Sequence, residues 1–219
     1  MSAGVTGPMK TVVIVILAVV VCGAAAAIWY QSRDGQGRTA IMGLATAPSS
    51  RPVLLPRNDL PGLQNFAQVS PDLYRGAQPT AEGFRQLKQM GVKTVVNLRS
   101  MHRDRDEMKG TGLGYLHILF NAWHPEDEDV VRFLKLVQDP ANHPVFVHCQ
   151  HGADRTGMMV AIYRIVEQGW TIEEAMAELP RFGYHPVWKE IRQYLAHFDA
   201  EAMRRQVQSA PSPSISTVR

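Results

Sequence analysis

His148-Cys149-Gln150-His151-Gly152-Ala153-Asp154-Arg155-Thr156-Gly157 gathers a cysteine, a glycine, an arginine and a threonine within ten residues. It follows a short apolar run, Pro144 to His148 (PVFVH), and precedes the apolar helical pattern of Thr156 to Gln168, which Gly169 ends. A strand that stops at a glycine-containing loop and passes straight into a helix places the loop where open α/β sheets hold their ligands. Backbone amides between Gln150 and Arg155 can curl into a nest, and the helix start adds positive potential. Gly152 permits a turn that a Cβ would obstruct. Arg155 offers a planar fork to two oxygens of a tetrahedral oxyanion. The same field favours a thiolate at Cys149, the form in which cysteine is a nucleophile. Thr156 is placed to donate its hydroxyl to that sulfur, and His148 to fix the junction of strand and loop.

Outward from this loop the punctuation alternates. Upstream, Phe66 to Arg75 reads as a short hairpin broken at Ser70-Pro71-Asp72, and Thr80 caps a helix that runs through Met90 to a stop at Gly91. Lys93 to Arg99 and Tyr115 to Phe120 read as strands, and Asp127 to Gln138 has apolar residues at helical spacing. Downstream, Thr171 with Glu174 forms a capping-box pattern, and a last helix is expected from about Val187 to Met203. Strands alternating with helices predict an α/β domain in three layers, a central, mostly parallel sheet flanked by helices.

The full chain has 219 residues and a formal net charge of +3. That charge is unevenly spread. From Phe66 to Met203 there are 15 basic and 18 acidic side chains, so the basic excess lies in the flanks. A mildly acidic domain with basic flanks beside an apolar run fits an anionic membrane surface, not a nucleic-acid partner. The two cysteines, Cys22 and Cys149, allow neither a disulfide framework nor a four-cysteine zinc site, and no metal or cofactor is expected.

Thr11 to Tyr30 contains no charged residue and ends on Trp29-Tyr30. At ~1.5 Å per residue it spans ~30 Å, the thickness of a bilayer core. It reads as an uncleaved transmembrane anchor that follows a short flank, residues 1–10. The rival reading is a signal segment cleaved near the small residues Ala24 to Ala27. The anchor reading makes the chain a single-pass protein of the bacterial inner-membrane kind, with the side of the domain left open by the balance of Lys10 and the amino terminus against Arg33 and Arg38. Residues 31–65, rich in Gly, Pro, Ser and Arg, read as a flexible tether, 66–203 as the folded domain, and 204–219 as a polar tail.

The central decapeptide resembles the HC-x5-R-[ST] signature of the cysteine-based protein tyrosine phosphatase superfamily, and most resembles compact dual-specificity members of bacteria and plants. Leu73 to Pro79 (LYRGAQP) and Gly91 to Arg99 (GVKTVVNLR) are similar to the opening and an early strand of those domains, so the resemblance extends from Phe66 to about Asp199. It implies a phosphocysteine intermediate on Cys149, Arg155 stabilising the equatorial oxygens, and Gln150, His151, Gly152, Ala153 and Asp154 supplying amides. It also implies an aspartate on the loop before the helix that leads to the nucleophile strand. That region reads Trp123-His124-Pro125-Glu126-Asp127-Glu128-Asp129. Asp127 is the expected general acid, with Glu126 and then Asp129 as alternatives. The competing reading is an acidic cluster favoured by a helix N-terminus.

Relatives that act on phosphoinositides or inositol pyrophosphates commonly carry lysines inside this loop. Here Gln150, His151, Ala153 and Asp154 supply none, so a phosphorylated protein or a small aryl monoester is the expected substrate. Alternatives are a lipid or inositol phosphate phosphatase, or a phosphopeptide-binding module that has lost turnover. Arg99, Arg103 and Arg105 are candidates to line the pocket from a neighbouring loop; the competing reading is a solvated charged loop from His102 to Lys109. Trp170, Tyr184, Trp188 and Tyr194 are expected to pack the helical side of the sheet, and His185 to be a turn residue. Oligomeric state is left open.

Overall fold

The computed structural model describes residues 51–218. Its centre is a sheet of six strands: β1 (Ala67–Ser70), β2 (Leu73–Gly76), β3 (Thr94–Asn97), β4 (Gly114–His117), β5 (Val145–His148) and β6 (Ser216–Thr217). Their spatial order is β1-β2-β5-β3-β4-β6. The inner four are parallel, and β1 and β6 close the edges antiparallel. The sheet is therefore mixed, with the expected parallel core.

Alternation along the inner strands sorts the side chains into two layers. Val95, Tyr115 and Phe146 join Phe84 and Leu87 of helix α1 (Ala81–Gln89) on one face. Val96, Leu116, Val145 and Val147 face the larger core on the other side. That core is built from α2 (Asp127–Val137), α3 (Asp154–Gln168), α4 (Ile172–Glu178), α5 (Lys189–Ala196) and α6 (Ala200–Ser209). With both faces covered, the strands are near-continuous apolar runs. Helix α3 is buried almost all round, which suits its place packed against β5.

Four boundaries differ from the sequence expectation. Residues 51–65 are not a featureless tether: Leu63 is buried in the core, and Arg57 bridges to Phe66 across the chain. Residues 204–219 are not simply a polar tail, since α6 runs to Ser209, β6 extends the sheet and Val218 is buried. The last helix is two: the chain leaves helical geometry at His197 and restarts where Asp199 accepts the Ala202 amide at 2.9 Å. Helix α3 starts at Asp154, two residues before the apolar pattern begins. The anchor assigned to 11–30 lies outside the described residues, and among those described no helix is long and apolar enough to cross a membrane.

Candidate active site

Strand β5 delivers Cys149 to the rim of the sheet, where the sulfur-bearing residue is 1% exposed. The loop that follows is propped from several sides. Gly152 has φ +69°, and a Cβ there would lie 2.5 Å from the Gly76 carbonyl carbon, so both its conformation and its contact with β2 need glycine. Arg75, 1% exposed, donates from Nη2 to the Gly152 carbonyl at 2.8 Å. Burial lowers the Arg75 pKa to about 10, while the charges of Glu178 and Cys149 pull it upward. The Gln78 amide donates to the Gln150 carbonyl at 3.2 Å. Asn65, itself in left-handed geometry at φ 52°, donates to the carbonyls of His151 and Phe182, both at 2.9 Å.

These props hold loop carbonyls outward. The amides of Gln150, His151, Gly152 and Ala153 donate to no protein acceptor among the described residues. Such a row of unpartnered donors running into the first turn of α3 is an anion cradle. Arg155 is half-buried beside it, one guanidinium nitrogen 3.3 Å from the Leu98 carbonyl. The Thr156 hydroxyl is buried and has no partner.

Behind Cys149, His148 is buried completely. Its Nε2 lies 2.8 Å from Asp104 Oδ2, and its Nδ1 lies 3.2 Å from the Cys149 carbonyl. Asp104 also accepts from Gln78 Nε2 and Asn97 Nδ2, each at 3.0 Å. Burial acts to raise the Asp104 pKa, but the His148 hydrogen bond and charge, with help from Gln78, hold it below the usual carboxylate range. The loop His102 to Lys109 is thus not simply solvated: Asp104 and Met108 are inside the fold. Gln78 links this network onward, accepting from Arg99 Nη1 at 3.2 Å.

The loop opens into a cavity of about 550 Å³. Gln150, His151, Asp154 and Arg155 line it from the loop, Arg99 from the end of β3, and His185 from the turn before α5. Phe120, Trp123, Val187 and Trp188 supply an apolar wall. The rings of Trp123 and Trp188 lie 6.4 Å apart. Trp188 lines the site and also packs, partly buried, against the helical-side core, as Tyr194 does, while Trp170 and Tyr184 are buried as expected. Arg103 and Arg105 line a different surface pocket.

The structure does not bring Asp127 to this cavity. Its carboxylate accepts from the Tyr194 hydroxyl and, at 3.2 Å, from Gln206 Nε2, in a separate pocket against α5 and α6. Burial and the bond to Asp127 push the Tyr194 phenol well above its ordinary pKa. Glu126 faces His124 at 3.5 Å, and Asp129 is half-buried with its pKa raised by burial. All four acids stand at the start of α2, where the helix dipole suits them. Among the described residues Asp154 is the cavity's one carboxylate, bound to His185, a pairing 31 residues apart that sequence periodicity cannot reveal.

A family model described as "DSP-PTPase phosphatase fused to NAD+ Kinase" matches residues 63–187, the segment that builds this cradle. The chain belongs to this phosphatase family. Dual specificity protein phosphatase TpbA of Pseudomonas aeruginosa (strain UCBPP-PA14) is 33% identical over 143 residues, 64% of this chain and 65% of TpbA, just under two thirds of that relative's length. The putative tyrosine-protein phosphatase OCA1 of Mycosarcoma maydis is 30% identical, covering 63% of this chain and 92% of that protein. Inositol diphosphatase DSP2 of Oryza sativa subsp. japonica is 25% identical over 64% of this chain and 72% of that protein. The crystal structure of P. aeruginosa TpbA superposes with a TM-score of 0.63 at 31% identity, covering 72% of this chain and 98% of that one. A second TpbA crystal structure is of a cysteine-to-serine variant in complex with pTyr.

Proposed function

We propose that the protein is a phosphomonoester hydrolase of the protein tyrosine or dual-specificity type, working through a phosphocysteine on Cys149. The observation that carries this reading is the row of unpartnered amides from Gln150 to Ala153 between the buried Cys149 and the Arg155 guanidinium. In the first step the Cys149 thiolate attacks phosphorus, an S–P bond forms, the ester P–O bond breaks, and the leaving oxygen takes a proton. In the second, water attacks phosphorus and gives up a proton, the S–P bond breaks, and inorganic phosphate departs. Arg155 and the amides hold the oxygens through both steps, acting on the charge that develops in the transition states. The Thr156 hydroxyl is free to donate to the departing sulfur.

The wall of Phe120, Trp123 and Trp188 supports an aryl substrate, because a phenyl ring stacks on aromatic faces above a phosphate held in the cradle. Its likeness to TpbA, seen in complex with pTyr, supports the same choice. Arg99 in the cavity and the relatives named inositol diphosphatases support the second reading, a polyphosphorylated inositol. Comparing kcat/KM for a phosphotyrosine peptide with that for an inositol pyrophosphate decides between them. The expected outcome is at least about tenfold in favour of the peptide, since a pocket matching one phosphate leaves added charges unpaired. A tenfold preference for the inositol substrate reverses the assignment.

We also propose that Thr11 to Tyr30 anchors the domain to a membrane, on the strength of its uncharged twenty-residue run. The full chain is expected to stay in the membrane pellet after an alkaline carbonate wash. Release into the supernatant contradicts the anchor.

A further inference from the structure

Six large apolar side chains stand exposed among the described residues, and three of them, Met101, Trp123 and Val187, meet at the mouth of the cavity. Met101 is 97% exposed, Val187 70% and Trp123 60%. They come from three separate segments: the turn after β3, the loop between β4 and α2, and the turn before α5. Phe120 and Ala122, in the same lining, belong to the packed core; the three exposed side chains do not. Apolar surface gathered at one concave place marks a contact site. A monoester whose phosphate lies against Arg155 and the amides of Gln150 to Ala153 has to carry the rest of its body across this rim. The substrate is therefore the occupant that the geometry requires.

The charges decide against a membrane lipid as that substrate. Among the described residues no lysine lines the cavity, Arg99 Nη1 donates to Gln78 at 3.2 Å, and Asp154 is paired with His185 at 3.0 Å. From Phe66 to Met203 acidic side chains outnumber basic ones, 18 to 15. An anionic lipid surface meets net repulsion from such a domain, whereas an uncharged stretch of peptide meets none. Resting on the phosphatase reading above, we propose that Met101, Trp123 and Val187 select protein substrates whose phosphotyrosine is flanked by apolar residues. Apolar flanks cover the three side chains and remove both surfaces from water. Polar flanks lay hydrogen-bonding groups on a surface that offers them few partners.

The test uses the full-length protein and two phosphotyrosine peptides of equal length and charge. One carries leucine, the other serine, at the two positions on either side of the phosphotyrosine. Their kcat/KM ratio is expected to favour leucine by about tenfold or more, mainly through KM, because the rim holds ground state and transition state alike. For Met101→Ser combined with Val187→Ser the ratio is expected to fall to within about twofold of unity. Since the ratio is the readout, a general loss of activity in the variant cancels between the peptides. Met101→Leu combined with Val187→Ile, which keeps the apolar surface, is expected to preserve the preference. A native ratio within about twofold of unity overturns the proposal, as does a preference that survives in the double serine variant. Phosphatidylinositol monophosphate in phosphatidylcholine vesicles, turned over tenfold faster than the leucine peptide, also overturns it and gives the rim to lipid. Failure of the underlying phosphatase reading is separately visible: Cys149→Ser then retains hydrolysis of both peptides.

Discussion

Replacing Cys149 with serine is expected to lower kcat on aryl phosphates by on the order of 10⁴-fold or more, the scale seen when a covalent nucleophile is removed. Serine is close in size, so the packing at a site 1% exposed changes little. Its hydroxyl, however, does not ionise under conditions where a thiol gives thiolate. Grip on the oxyanion is expected to survive, because it comes from Arg155 and from the amides of Gln150 to Ala153, none of which the substitution touches. Calorimetric titration with a phosphotyrosine peptide then separates the two functions. Tight binding without turnover is the expected outcome, and turnover within tenfold of the native protein contradicts it.

Glu178→Gln is expected to be the most destabilising conservative change in the domain, by about 3–5 kcal/mol. The Glu178 carboxylate lies 3.0 Å from Arg164 Nη2 and 3.8 Å from Arg75 Nη1, and all three side chains are under 10% exposed. Removing the anion leaves two buried guanidinium groups without their shared counter-charge; burial already lowers the Arg75 pKa, and the Arg164 charge adds to that in smaller measure. Cation–π contacts with Phe182 and Trp170 steady the pair without neutralising it. Urea denaturation reads the loss directly, and a change below about 1 kcal/mol contradicts the account. Since Arg75 also holds the Gly152 carbonyl, kcat/KM is expected to fall alongside stability even where the variant is fully folded.

The decapeptide His148 to Gly157 is legible in the sequence because its chemistry is contiguous: strand end, cysteine, glycine turn, arginine and helix start fall within ten residues. Strands β3 and β5 were legible for a related reason, as apolar runs buried on both faces. What stayed hidden is what supports that loop from a distance. Asn65 reaches His151 across 86 positions, and Asp104 reaches His148 across 44. Both sit in polar stretches where composition argues for solvent. Asp127 shows the same limit from the other side. An acid in the first turn of a helix is locally favoured, and nothing local told that the break between α5 and α6 would place Tyr194 and Gln206 against it. Strand β6 is not legible in the sequence because two residues at a sheet edge carry no period; its pairing with β4 and the burial of Val218 mark it as part of the fold.

A phosphocysteine on Cys149 survives in acid long enough to be caught by rapid quenching of the protein mixed with a phosphotyrosine peptide. Peptide mapping by mass spectrometry is expected to find one phosphoryl group on Cys149 at early times. It should be absent from Cys149→Ser and decay at the rate at which inorganic phosphate appears. Phosphate released at full rate with Cys149 never modified, or a phosphoryl group on another residue, contradicts the account.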